Sequence, residues 1–456
     1  MSAETSPAAG HRWHRITELG ARLGMSPEAA KRASVNMTDQ CFASGTNFVV
    51  GVAVARLAGA RGLGAFALAY ACWILLTQLH RSLVTDPMAI SGDMRETQAV
   101  ESIRQGFGAE VALGLAATAM FAFVGGLLIV AGQRAFGVAI LAVAPWVTFL
   151  DLQDYWRWIG FMQGKPGKAL VNDMVFAVAQ LAAFVIVYAT GVHSIFAVVS
   201  AWGAGAVAGA LYGLQQFSVR PSLRGGLSLL RSRWHMSKWL AGTSVTNWGA
   251  GQAYLIVAGG FLGPAALGGL KASQALVTGP SSVVIHAGGS FGLPEASRAL
   301  ADHGLRAMRR VTRWISTAGA LTTGVFGAVV FFFGSTLLRV IYGAQFARYE
   351  PAAKLMAVAM LVSAFGLGPI LTLKVTKRTR SLFNVQVITL AVSVPSVAAL
   401  AVLHGVTGAA AAVLLSDLAA LIALLLYQRA ARRSLRDPVL VVGAAGAPTL
   451  GEVSAS

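Results

Sequence analysis

The sequence predicts an all-α integral membrane protein of about twelve transmembrane helices, built as two parallel six-helix repeats with both termini cytoplasmic. Three observations carry that expectation. The 456 residues are 56% hydrophobic and only 12% charged, where a soluble chain carries about 25% charged residues; the mean hydropathy is +0.65. Apolar runs of roughly 20 residues, each long enough to cross a hydrocarbon core of about 30 Å, recur between short basic loops. Finally, a polar-striped segment near the start, Ser44-Gly45-Thr46-Asn47-Phe48-Val49-Val50-Gly51, returns as Ser244-Val245-Thr246-Asn247-Trp248-Gly249-Ala250-Gly251. After a slip of four residues, about one helical turn, Gly59-Ala60-Arg61-Gly62-Leu63-Gly64 is echoed by Gly263-Pro264-Ala265-Ala266-Leu267-Gly268. Each half therefore opens with a polar-striped helix, a glycine turn and a second apolar helix, and internal repeats in a membrane chain point to a transporter.

The elements follow in order. Residues 1–36 are polar, lack the apolar run of a cleavable leader and read as a cytoplasmic segment. Ser26-Pro27-Glu28 places an N-cap, an N1 proline and a first-turn acid at a helix start, and Trp13, Ile16 and Leu19 alternate with Arg12, Arg15 and Arg22 as in a segment lying on a membrane surface. Six spans are expected in residues 37–215, near 37–57, 64–86, 107–131, 135–153, 171–190 and 195–215. Six more are expected in 239–428, near 239–262, 267–292, 314–334, 352–373, 382–403 and 408–428. An even number per half makes both halves enter from the same side, so the repeat axis runs along the membrane normal. The basic stretch 216–238, with Pro221 and Gly225-Gly226, reads as the linker between the two lobes, in reach of anionic headgroups. Residues 429–456 turn polar and then Gly/Ala/Pro-rich and read as a disordered cytoplasmic tail.

The formal net charge of +18 does not imply a nucleic-acid partner. With an inside N-terminus the cations crowd one set of loops: Arg95, Arg104, Arg157, Lys165, Lys168, the linker arginines, Arg306, Arg309, Arg310, Lys374, Lys377 and Arg378 among them. The opposite side holds Arg56, Arg61, Arg134, Arg339 and Arg348. That asymmetry is how topology is selected. Cys41 and Cys72 both fall in spans and read as small packing residues, with no disulfide or metal-ligand spacing. There is no phosphate-binding loop, no HExxH and no convincing carboxylate pair. The expectation is a non-enzyme without cofactor or metal, whose partner is the bilayer.

Candidate site residues are the polar ones that apolar spans have to tolerate. Gln40, Ser44, Asn47 and Gly51 share one face of the first helix, and Ser244, Asn247 and Gly251 share a face of the seventh. Two readings stand: hydrogen bonding between helices, or the lining of a central cavity with one face from each lobe. Asp39 is a helix-terminal acid or an ion site. His80 and Arg81 precede Asp86 by about a turn, which suggests an Arg81–Asp86 ion pair. Lys271 either snorkels to the outer interface or offers a point charge to a phosphate. His286 is a packed residue or a titrating one. Asp151, Asp154 and Arg157, with Asp173 beyond, read as a gate or an inner ion-pair cluster, or as a headgroup-level loop with Trp156 and Trp158 in the aromatic belt. Gly205, Gly209 and Gly213, at steps of four, read as a packing stripe.

Asp39-Gln40, Ser44 to Phe48, Val54-Ala55-Arg56, Gly64 to Tyr70 and Asp86-Pro87-Met88 resemble the opening of the polysaccharide (Wzx-like) flippases of the multidrug/oligosaccharidyl-lipid/polysaccharide (MOP) superfamily. Asp151 to Arg157, followed by Gly164-Lys165-Pro166 and Asn172-Asp173, resembles that group's link between helices four and five. The resemblance covers residues 37 to about 430, and its motifs are diffuse. It implies two six-helix lobes around a V-shaped cavity and alternating access. It implies transfer of a polyprenyl-diphosphate-linked oligosaccharide from the cytoplasmic to the outer leaflet of the cell's inner membrane. Substrate contacts are then expected at Lys271, Arg81, His80, Asn47, Asn247, Ser44 and Ser244. Ion coupling or gating is expected at Asp39, Asp86, Asp151, Asp154, Arg157 and His286. Polysaccharide assembly proteins are candidate partners. An ion-coupled small-molecule exporter of the same fold is the alternative; a membrane glycosyltransferase or polymerase would call for a larger outer loop than the sequence holds.

Overall fold

The computed structural model describes the backbone of residues 27–91, 99–192 and 194–434, with the side chains at 27–37, 39–41, 43, 280–291, 294 and 434 outside the described set. The described residues are helical throughout, without a strand. The helices are α1 (Pro27–Leu83), α2 (Thr85–Ser91), α3 (Ala99–Val130), α4 (Arg134–Val143), α5 (Val147–Met162), α6 (Pro166–Ala189), α7 (Ile195–Phe217), α8 (Leu223–Ile341), α9 (Glu350–Phe365), α10 (Leu367–Val375) and α11 (Thr379–Ser434). Short 3₁₀ turns occupy Ala144–Trp146 and Ala344–Tyr349. Among the described residues nine stretches are long and apolar enough to cross a membrane. Large exposed apolar side chains such as Phe123, Val130, Val185, Phe332 and Leu403 clothe the outside, as a chain solvated by lipid permits.

Three of these helices are too long to be straight. At 1.5 Å per residue α8 alone would run about 180 Å. Each folds back at a glycine instead: α1 at Gly59 (φ 69°, ψ −172°), α8 at Gly263 (φ 76°, ψ 175°) and Gly304 (φ 73°, ψ −170°), and α11 at Gly405 (φ 60°, ψ −137°). That combination of positive φ and extended ψ is open essentially to glycine alone. The arms on either side pack together: a Cβ on Gly292 would lie 2.6 Å from Ile315 Cδ1, on the far side of the Gly304 turn. The two turns the sequence paired as repeats, Gly59 and Gly263, are thus conformational twins. Charged capping follows from the same geometry. The Arg56 guanidinium, just before the first turn, donates from Nε to the Ile341 carbonyl at 2.9 Å and from a terminal nitrogen to the Val340 carbonyl, covering carbonyls that the end of α8 leaves without helical partners.

Small residues set the helix spacing, as they must where lipid gives helices no hydrophobic reason to associate. The α7 stripe is a packing stripe: a Cβ on Gly205 would stand 2.7 Å from the Phe176 carbonyl oxygen, one on Gly209 2.6 Å from Gln153 Cγ, and one on Gly213 would overlap the Trp156 indole. This last contact corrects the belt reading of Trp156. Its side chain is 1% exposed and lies between Phe107 at 4.9 Å and Phe217 at 5.3 Å, centroid to centroid. Trp158 is only partly buried and lies under the Arg81 guanidinium at 5.2 Å, a cation–π contact.

Candidate functional site

The site is built where the two repeated segments meet. Phe48, in the first arm of α1, packs its ring over Gly279, where a Cβ would lie 3.4 Å away, in the middle arm of α8. Its counterpart Trp248, in the first arm of α8, donates Nε1–H to the Ala71 carbonyl at 2.8 Å in the second arm of α1. Each half's first arm therefore rests on the other half's second arm. Between them lies a cavity of about 220 Å³ lined by Ser44, Asn47, Gly51, Phe66, Tyr70, Lys271 and Tyr342, among others. A smaller cavity of about 140 Å³, within the C-terminal half, is lined by Gly251, Tyr254, Gln274, Thr389, Ser393 and Asp417. Thr278 borders both.

Lys271 lies on the wall of the larger cavity. Its Nζ donates to Gln274 Oε1 at 3.1 Å, and among the described residues no carboxylate stands within ion-pair distance of it. Aromatic Phe48, Phe66, Tyr70 and Tyr342 and small or aliphatic residues such as Val50, Leu63 and Ala275 form much of the rest of the wall. An ammonium with one neutral acceptor in such surroundings keeps most of its capacity for an anion. Gln274 also borders the smaller cavity, so the Lys271–Gln274 pair bridges the two.

The two polar stripes have divided outcomes. Ser44 and Asn47 line the larger cavity, and a Cβ on Gly45, Gly51, Gly242 or Gly251 would meet open space. Ser244 instead shares a 2.7 Å hydroxyl contact with Ser82, and Asn247 accepts from Gln386 Nε2 at 2.9 Å. Ser44 and Asn47 thus border the larger cavity, whereas Ser244 and Asn247 hydrogen-bond to neighbouring helices and Gly251 borders the smaller cavity.

His80, Arg81, Asp151, Asp154 and Arg157 come together away from the larger cavity, inside the N-terminal half. Arg81 forms a two-point pair with Asp154, from Nε to Oδ2 at 2.6 Å, and not with Asp86. On the sequence Asp86 is one turn away, but Asp154 on α5 presents its carboxylate side-on to the guanidinium fork, the arrangement this pair favours. Arg157 Nε is 3.0 Å from Asp173 Oδ2, and Gln153 donates to Asp173 at 2.7 Å and to Asn172 at 3.0 Å. His80 Nδ1 lies 3.2 Å from both Glu110 Oε2 and Asp151 Oδ2, and Thr77 donates to Asp151 Oδ1 at 2.8 Å. Asp39 and His286 fall on residues whose side chains lie outside the described set.

Two acids escaped the sequence reading. Glu110 is 2% exposed in the long apolar part of α3 that follows Gln105, and Asp417 of α11 borders the smaller cavity. A lone acid inside a long apolar run was the available signal in both cases. No group of three or more histidines, cysteines and acids placed to hold a metal occurs among the described residues.

Residues 167–351 match a family model described as polysaccharide biosynthesis protein. No curated protein sequence matches the chain. Solved structures similar to it include the lipid II flippase MurJ in an inward closed conformation, with TM-score 0.70 and 11% identity over 86% of this chain and 87% of that one. Another is an inward-facing multidrug resistance MATE family transporter of the MOP superfamily, with TM-score 0.68 and 13% identity over 90% and 99%. A third is a MOP superfamily transporter from Pyrococcus furiosus described by the reverse polarity of its binding pocket, with TM-score 0.63 and 13% identity over 90% and 96%. With a helical chain folded back at paired glycines around a central cavity, the protein is a multi-pass membrane protein with the fold of the MOP-superfamily transporters and flippases.

Proposed function

We propose that the protein is a flippase for a lipid-linked oligosaccharide, carrying the diphosphate of a polyprenyl-diphosphate glycan past Lys271 from the cytoplasmic to the outer leaflet of the cytoplasmic membrane. The observation that carries this is the position of Lys271: a cation on the wall of the cavity between the two halves, hydrogen-bonded to the neutral Gln274. The match of residues 167–351 to a polysaccharide biosynthesis family supports a glycan substrate. In this reading twelve spans form two lobes, residues 37–215 and 239–428, joined by the linker 216–238, with residues 1–36 and 429–456 cytoplasmic. Ser44 and Asn47 offer hydrogen bonds to sugar hydroxyls, the prenyl chain stays in lipid, and the lobes rock about the contacts between the first and second arms. No bond of the substrate is made or broken.

An ion-coupled small-molecule exporter is the second reading, and the modest volume and aromatic walls of the cavity favour it. Lys271 restricts that reading to neutral or anionic cargo, because a cation in a low-dielectric cavity repels another. Lipid extraction from a deletion strain separates the two. Glycan-linked lipid held on the cytoplasmic leaflet with loss of surface polysaccharide supports the flippase. Normally distributed lipid-linked glycan overturns it in favour of the exporter, and accumulation on the outer leaflet overturns both.

A further inference from the structure

We propose that His80, Glu110 and Asp151 form a proton-binding site inside the N-terminal half, and that its occupancy sets the position of the segment linking the two halves. The inference does not depend on which molecule crosses the membrane.

Three elements converge on the site: the second arm of α1 brings His80, α3 brings Glu110 and α5 brings Asp151. The side chains are 6%, 3% and 1% exposed, and Nδ1 of the imidazole stands 3.2 Å from one oxygen of each carboxylate. None of those three atoms has a well-formed hydrogen bond, so a single proton position does not satisfy the group. Thr77 holds the other oxygen of Asp151, leaving Oδ2 turned toward the histidine.

Charge bookkeeping points the same way. The facing charged groups are Arg81 from α1, Asp154 and Arg157 from α5, and Asp173 from α6. Arg81 is engaged by Asp154 and Arg157 by Asp173, with Asp154 at 3.8 Å. Neither arginine is within ion-pair distance of Glu110 or Asp151. With the imidazole charged and both carboxylates ionised, the triad keeps one uncompensated negative charge in a buried place. Uptake of one more proton by a carboxyl removes it, and an O–H donor then replaces one of the two competing His80 contacts. Tyr155, beside the site, has its hydroxyl committed to the Ile103 carbonyl at 2.7 Å, so it does not supply the missing donor.

The route outward is short. Glu110 follows Ala109 and Gly108 on α3, and both are in backbone contact with the start of α8. A Cβ on Gly226 would overlap the Ala109 amide nitrogen, and one on Gly108 would overlap the Ser222 carbonyl. Ser222 N–H donates to the Arg104 carbonyl at 3.0 Å. This piece of chain connects α7 to the first arm of α8. Such a contact has no slack, so a shift of α3 that re-pairs Glu110 moves the linker with it.

The test uses the full chain in lipid nanodiscs, with protons as the only added ligand. Infrared difference spectra between mildly alkaline and mildly acidic pH should show a protonated-carboxyl band in the wild type that is lost in Glu110→Gln or in Asp151→Asn. In a cysteine-free background, spin labels at Leu227→Cys on the linker helix and Val178→Cys on α6, both exposed, should change separation over the same pH range. His80→Gln should abolish that change. Thr77→Val keeps every ionisable group and removes one donor to Asp151, so it should move the midpoint of the label response to higher pH. A carboxyl band that survives in both acid variants overturns the site. A label separation indifferent to pH in the doubly labelled protein with the triad intact, in a sample whose carboxyl band matches the wild type, overturns the coupling.

Discussion

Gly64 and Gly268 touch each other's backbones reciprocally. A Cβ on Gly64 would lie 2.6 Å from the Gly268 amide nitrogen and overlap the Pro264 carbonyl; one on Gly268 would lie 3.0 Å from the Gly64 amide nitrogen and overlap the Ala60 carbonyl. The pairs 60 with 264 and 64 with 268 are the ones the sequence echo aligns. A contact that maps onto itself when the halves are exchanged is what a pseudo-twofold axis produces.

Gly64→Val is therefore expected to destabilise the protein by about 2–3 kcal/mol or to prevent folding, because backbone cannot yield as a side chain can. Gly126, where a Cβ meets open space, is the control: Gly126→Ala should be neutral or stabilising by up to about 1 kcal/mol through helix propensity. Thermal unfolding in detergent would read both.

Lys271→Gln should separate transport from stability. Loss of a charge-assisted contact to a diphosphate predicts a fall in transport of about tenfold or more, corresponding to ~1.4 kcal/mol. Removing a cation that has no carboxylate beside it among the described residues should leave the unfolding temperature unchanged or raise it. Lys271→Arg should retain part of the activity. Surface-polysaccharide assays and unfolding curves on the same three proteins check this.

For the Arg81–Asp154 pair the expectation is the opposite balance. Asp154→Asn leaves Arg81 facing a neutral group and should cost roughly 3 kcal/mol, the lower end for a buried pair because the guanidinium keeps some solvent. Asp86→Asn should cost less than about 1 kcal/mol. A double-mutant cycle with Arg81→Met should return a coupling energy for Asp154 and almost none for Asp86.

Gly213→Ala inserts a methyl into the Trp156 indole and should destabilise by about 1–3 kcal/mol. Trp156→Phe, which returns space on that side, should recover part of the loss. Near-ultraviolet circular dichroism would follow the displaced indole.

Much of this architecture was legible in the chain. The apolar runs, the glycine spacing of α7 and the echo of Gly59 to Gly64 in Gly263 to Gly268 are local features, and local sterics turn them into helices, a packing stripe and two matching reversals. The site was legible only in part. Lys271, Ser44 and Asn47 were marked because polar side chains in apolar spans need a reason to be there, but Glu110 and Asp417 carried the same mark and went unnoticed.

The sequence by itself determined the solvent, the secondary structure, the repeat and the places where the chain turns back, since each follows from composition, helical period or the φ that a residue can adopt. Tertiary structure alone decided that Arg81 takes Asp154, 73 positions away, rather than Asp86. It alone decided that His80 meets Glu110, that Trp156 is buried, and that Ser244 bonds to Ser82 while Ser44 faces a cavity. The physical reason is common to all four. In lipid a helix face is equally apolar whether it meets acyl chains or another helix, so hydropathy does not say which face turns inward or which helix lies beside it, and only the packing of the whole bundle fixes that rotation.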